Sequence, residues 1–164
     1  KRLEEGLKMA SMFVAGAPLL FARWAKGFQK HVNQLPQFDP TVSNSAGGDA
    51  DIIYYHSYWK LGQKEVLKIT VVPPACDTWN FQLNNYWMES LDYRYFTICL
   101  NKGNAAVEPD GSITIIVAHS DPKHPNWINT CNHAEGTMCW RWYRLEEDVS
   151  PVQPTCEVLK LDEL

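Results

Sequence analysis

The chain lacks the signatures that would name a reaction. It contains no GxSxG, GxGxxG, Walker A or HExxH pattern, so nucleophile-elbow, dinucleotide, P-loop and zincin chemistry find no motif to rest on. It has no CxxC pair, so no zinc ribbon is indicated. Its five cysteines, at 76, 99, 131, 139 and 156, are an odd number, which argues against a fully paired disulfide framework. Cys99 and Cys139 fall in strand-like runs and read as packed thiols. Cys131 and Cys139 flank a turn, a spacing open to pairing only in an oxidising compartment. There is no Asn-x-Ser/Thr sequon to speak for secretion, and no basic run. The formal net charge of −4, with scattered Lys and Arg, argues against a nucleic-acid footprint, and the aromatics lack the basic groove that single strands would need.

Aromatic side chains are plentiful, with seven Trp and seven Tyr among 164 residues. Large rings favour sheet packing and interfaces. A hydrophobic content of 45% is globular. A chain this long suits one domain and buries roughly two-thirds of its unfolded surface.

Residues 1–36 read as an amphipathic helical segment. Leu3, Leu7, Ala10, Val14, Ala17, Phe21, Trp24 and Phe28 form an apolar stripe at three-and-four spacing. Pro18 predicts a kink or a junction of two helices. The uncharged run Met9 to Ala22 is too short to cross a bilayer, so no transmembrane segment is expected. A helix lying on a membrane surface is the alternative to one packed on protein.

Residues 37–51, rich in Pro, Ser, Asn and Gly, read as a linker. Residues 52–164 then alternate as short strands, among them 52–59, 67–71, 79–87, 93–100, 113–119, 137–143 and 155–161, with about eight expected in all. Glu108 to Ser112 forms a turn built on Pro109 and Gly111. With no helical pattern among them, the expected fold is mainly β: an antiparallel, jelly-roll-like β-sandwich preceded by the amphipathic helix.

Several motifs resemble the domain of unknown function 1214 family over about residues 52–164. They are Leu67 to Asn85 (LKITVVPPACDTWNFQLNN) and Trp87 to Tyr93. Asp110-Gly111-Ser112 follows, opening a strand that ends Ala118-His119. Asp121-Pro122 then comes with Asn126 to Thr130, Gly136-Thr137-Met138 leads to Arg141-Trp142, and Val158 to Leu161 closes the series. Two positions depart from the family pattern: Lys123 where Asp-Pro-Gly is usual, and Asn129 where an Asp is common. The resemblance implies a jelly-roll-like sandwich, no established activity, and a further N-terminal region that would make this chain the C-terminal portion of something longer.

Six residues are candidates for a polar ligand pocket: Asn85, His119, Asp121, Asn126, Trp127 and Arg141. Asn85 alternates onto the apolar face with Leu83 and Trp87. His119 ends a strand whose inward face carries Ile113, Ile115 and Val117. An inward Arg141 needs a partner, with Asp121, Glu89 or Asp92 the chemical suspects, or an anionic ligand in their place, whereas an outward one is simply a solvated strand residue. His119, Asp121, His124 and His133 carry metal-ligating atoms, but HxDxxH matches no established site, so the sequence assigns no metal and no cofactor. Cys131 and His133 stand too close in sequence on one loop to face each other as a dyad. The final Leu-Asp-Glu-Leu resembles an ER-retrieval tail, but the family resemblance implies the ordinary end of a strand, which is the preferred reading. The compartment stays open between cytoplasm, ER lumen and exterior.

The expected role is non-catalytic: a module for self-assembly or for docking on a partner region. The alternative is an enzyme or a binder of a small anionic or sugar-like ligand at the six residues.

Overall fold

The strands form where β-branched and aromatic residues alternate in burial. The computed structural model covers residues 1–164 and contains β1 (Ile52–Lys60), β2 (Glu65–Val71), β3 (Cys76–Leu83), β4 (Cys99–Asn101), β5 (Ile113–Ala118), β6 (Trp127–Asn129), β7 (Glu135–Leu145) and β8 (Thr155–Lys160). They make two four-stranded sheets, ordered β1-β7-β3-β4 and β6-β5-β2-β8. The pairing is antiparallel except for β6, which lies parallel to β5. The fold is thus the expected β-sandwich, with one parallel edge.

The sheets bury their facing sides in one cluster of 21 residues. Leu67, Ile69, Ile113, Ile115 and Val117 from the second sheet meet Tyr55, Trp59, Phe81, Trp140 and Trp142 from the first. Trp79 stacks on Trp140 at a centroid separation of 4.8 Å and meets Trp142 near-perpendicularly at 6.4 Å. Each such side chain contributes roughly 1.5–3 kcal/mol by leaving water, so this aromatic cluster anchors the sandwich.

Helix α1 (Arg2–Phe28) runs through Pro18 as one helix, not two. Pro18 removes one backbone donor, and no break follows. Only its last turns touch the sandwich: Ala25 and Phe28 are buried, whereas Leu3, Leu7, Met9, Met12, Phe13, Val14, Leu19 and Leu20 are exposed. Its best 18-residue window has a mean hydropathy of 1.2, none of it buried, so α1 with the following 3₁₀ turn (Gln29–His31) has the length and composition of a spanning helix. The charge-free part, Met9 to Ala22, rises only about 21 Å at ~1.5 Å per residue, against a hydrocarbon core of about 30 Å.

Past the 3₁₀ turn the chain runs along the edge of β1. Asn33 donates its N–H to the Tyr58 carbonyl at 2.8 Å, Phe38 donates to Tyr54 at 2.7 Å, and Leu35 enters the core. This covers an edge that would otherwise offer unpaired backbone groups. The expected linker holds a short helix, α2 (Pro40–Ser45), capped by the Asp39 carboxylate, which accepts the Thr41 N–H at 2.8 Å. Two strand expectations shorten. β3 stops at Leu83, and from 93 to 100 only Cys99 onward is strand, because the exposed Tyr93, Tyr95 and Phe96 have no sheet face to bury. The C-terminal residues Leu161–Glu163 form a 3₁₀ turn, where a continuing strand end was expected. All five cysteines are free thiols, with no Cys131–Cys139 bridge.

Candidate functional site

The six sequence candidates do not meet. His119, Asp121, Asn126 and Trp127 belong to the β5–β6 corner of the second sheet, Asn85 to the loop after β3, and Arg141 to β7 of the first. None of the six lines the five principal cavities.

Most of them hold loops together. Asn126 is 1% exposed. Its Oδ1 accepts the Ala106 N–H at 2.7 Å, while its Nδ2 donates to the Ala106 and Thr114 carbonyls at 2.8 Å each. The Trp127 Nε1–H donates to the Ala118 carbonyl at 3.1 Å, and its ring packs against Val66, Ile116 and Ala118. His119 Nε2 lies 3.3 Å from the Leu61 carbonyl and Nδ1 lies 2.8 Å from the Thr130 hydroxyl. A carbonyl only accepts, so Nε2 carries the hydrogen and Nδ1 accepts from Thr130. Asp121 caps the Lys123 N–H and pairs with its exposed ammonium at 2.8 Å, which holds its carboxyl below the usual range.

Asn85 lies past the end of β3, not on its apolar face, and Trp87 is 48% exposed. Its Oδ1 accepts the Trp87 and Glu89 N–H groups at 2.9 and 3.1 Å, and its Nδ2 donates to the Glu89 carboxylate at 2.7 Å. This shapes a tight loop in which Met88 takes a left-handed φ of 64°. Gly136 of β7 lies under it. A Cβ there would collide with the Asn84 carbonyl.

No group of three His, Cys, Asp or Glu side chains is arranged to hold a metal ion. The Cys131 thiol faces the Asn129 carbonyl at 3.7 Å, and burial raises its pKa. It makes no dyad contact with His133.

The outer face of the first sheet is the surface that periodicity did not single out. Register lines up Tyr54, Arg141, Asn80 and Asn101 in one cross-strand row, and His56, Cys139, Gln82 and Cys99 in the next. Arg141 Nη1 donates to Asn80 Oδ1 at 3.0 Å, and its guanidinium lies 6.0 Å from the Tyr54 ring centroid. The expected carboxylate partners are engaged elsewhere: Asp121 with Lys123, Asp92 with Arg94, Glu89 with Asn85. Tyr54 stacks on His56 at 5.4 Å, and His56 on Phe28 of α1 at 5.1 Å, with Phe38 edge-on to His56 at 5.2 Å. Burial, helped by the Arg141 charge, lowers the His56 pKa to about 4. Burial pushes the Cys139 thiol, whose Sγ is 4.0 Å from His56 Nε2, up to about 11. Both are neutral near pH 7, so the pair is no thiolate–imidazolium nucleophile.

Beside this stack, α1, α2 and the sheet enclose a cavity of about 210 Å³, walled by Trp24, Phe28, Phe38, Val42, Tyr54 and His56 among others. A second groove lies between Ala17, Pro18 and Phe21 of α1 and Trp87 and Met88 of the β3–β4 loop.

Comparison with known proteins bears on the fold. The chain is similar to an uncharacterised protein from Burkholderia cenocepacia, with 51% identity and a TM-score of 0.84 over 88% of its length. It spans only 40% of that protein. A protein from Vibrio parahaemolyticus shares the fold at a TM-score of 0.53 and 15% identity, over 67% of this chain and 31% of the other. No family model and no curated protein matches the sequence.

Proposed function

We propose that this chain is a non-catalytic docking module whose helix α1 seats a further protein domain. One observation carries the reading. The apolar stripe that buries Ala25 and Phe28 on the sandwich continues without interruption through Phe21, Val14, Leu7 and Leu3, all exposed. Ala17 and Phe21 still face Trp87 and Met88 across a groove, but from Val14 to Leu3 the first sheet supplies no surface and the stripe is exposed. A contiguous apolar surface of this kind marks an interaction site. The domain is favoured over a second copy because the Burkholderia relative is more than twice as long as its matching part. Kinship with the domain of unknown function 1214 family, whose members commonly carry a further N-terminal region, belongs to the same proposal.

Light scattering on the isolated chain, followed by pull-down with the non-matching region of the Burkholderia protein, tests it. A monomeric chain that captures that region, with capture lost in Val14→Glu, supports domain docking. A stable dimer dissolved by Val14→Glu would assign the stripe to a second copy, and binding only to lipid vesicles would assign it to a membrane surface.

A further inference from the structure

The outer face of the first sheet carries one formal charge in its two central rows, that of Arg141, and no carboxylate faces it. Arg141 is half-buried as a residue, and its guanidinium spends one N–H on a neutral amide oxygen, Asn80 Oδ1. It forms no ion pair within the chain. Guanidinium has five donors in a planar fork that matches a carboxylate two-on-two. Burial of arginine ordinarily comes with a partner, and the donors Arg141 leaves unused are free for an anion.

The neighbouring geometry defines the rest of the ligand. Tyr54 is shared: its ring lies beneath Arg141 and also walls the 210 Å³ cavity. Tyr54 stacks on His56 and His56 on Phe28, and the Arg141 cation lies over Tyr54, beside this aromatic wall and just outside the cavity lining. The cavity is apolar, and smaller than the roughly 300–1,000 Å³ of sites for drug-sized molecules, so its occupant is short. His56, held neutral, adds no competing charge.

We propose that Arg141 and the adjoining aromatic cavity bind a small monocarboxylate with a short apolar body, the carboxylate on Arg141 and the body against Tyr54 and His56. The ligand needs both halves. Without a carboxylate it forfeits the charge-assisted pair, and without a body it forfeits the burial of the cavity wall. This site is independent of α1's exposed stripe, which lies on the overhanging part of the helix.

Calorimetry with hexanoate as probe tests the site, with 1-hexanol and acetate each supplying half of it. Hexanoate is expected to bind saturably at one per chain, and each half-molecule at least about tenfold more weakly, the loss expected for one charge-assisted contact. Arg141→Gln should weaken hexanoate by a similar factor and leave 1-hexanol unchanged. Val42→Trp, at an exposed position that fills the cavity without touching Arg141, should weaken hexanoate even if Arg141→Gln folds poorly. No saturable hexanoate binding to the wild-type chain, or wild-type affinity retained in both variants, overturns the proposal.

Discussion

Replacing Asn126 by Ala separates a structural asparagine from a ligand-binding one. The side chain is buried, and all three of its bonds go to backbone at Ala106 and Thr114. Truncation removes the three bonds together and orphans one N–H and two carbonyls. A net contribution of about 0.5–1.5 kcal/mol per bond gives roughly 2–4 kcal/mol. Ala106 itself is exposed, so water can reach part of the vacated site, and the lower half of that range is expected. For a chain of this size the melting temperature should fall by roughly 4–10 °C. Urea unfolding of wild type and Asn126→Ala, read by tryptophan fluorescence, measures the difference at unchanged slope. Asn126→Asp sharpens the test, since its carboxyl would face two carbonyls and favour the protonated form. The native state would then hold that proton more tightly than the unfolded chain, so the variant's stability should fall as pH rises through the ordinary aspartate range. A loss below about 1 kcal/mol in Asn126→Ala would refute the structural role and return Asn126 to the list of ligand residues.

Three other outcomes are expected. His56 has a folded-state pKa of about 4 against an ordinary 6.5. Its stability contribution is therefore present above pH 6.5 and lost as pH falls towards 4, by at most about 3 kcal/mol. His56→Phe, which keeps the stacked ring, should flatten that part of a stability–pH curve. Gly136→Ala should cost several kcal/mol, on the order of other overpacked sites, because the colliding atom is the Asn84 backbone carbonyl, and chemical denaturation will report it. Along α1, Phe28→Ala should destabilise by about 2–4 kcal/mol, whereas Phe13→Ala, at a 74% exposed position, should leave the unfolding midpoint of the isolated chain unchanged.

Period-two alternation is a property of the strand itself, so the sequence by itself determined β1, β2, β5 and β7 to within a few residues. It also determined the sandwich class and the helical stripe at the N-terminus. The Glu108–Ser112 turn was legible for the same reason: Pro109 and Gly111 carry their backbone preferences with them, and Gly111 takes a φ of 83°. Asn126 and His119 were legible only as polar residues in a polar loop, because hydrogen bonding to Ala106 or Leu61 depends on where a distant backbone arrives. β6 is too short for a periodic signal, and its parallel pairing with β5 is set by the path of the loop. Arg141 shows the limit most clearly. Chemistry alone left it between an inward, paired position and an outward, solvated one, and strand register placed it on the outer face beside Asn80 and Tyr54 with no carboxylate. Alternation says which face a side chain takes. Only the pairing of β1, β7 and β3, residues far apart in the chain, decides what it meets there.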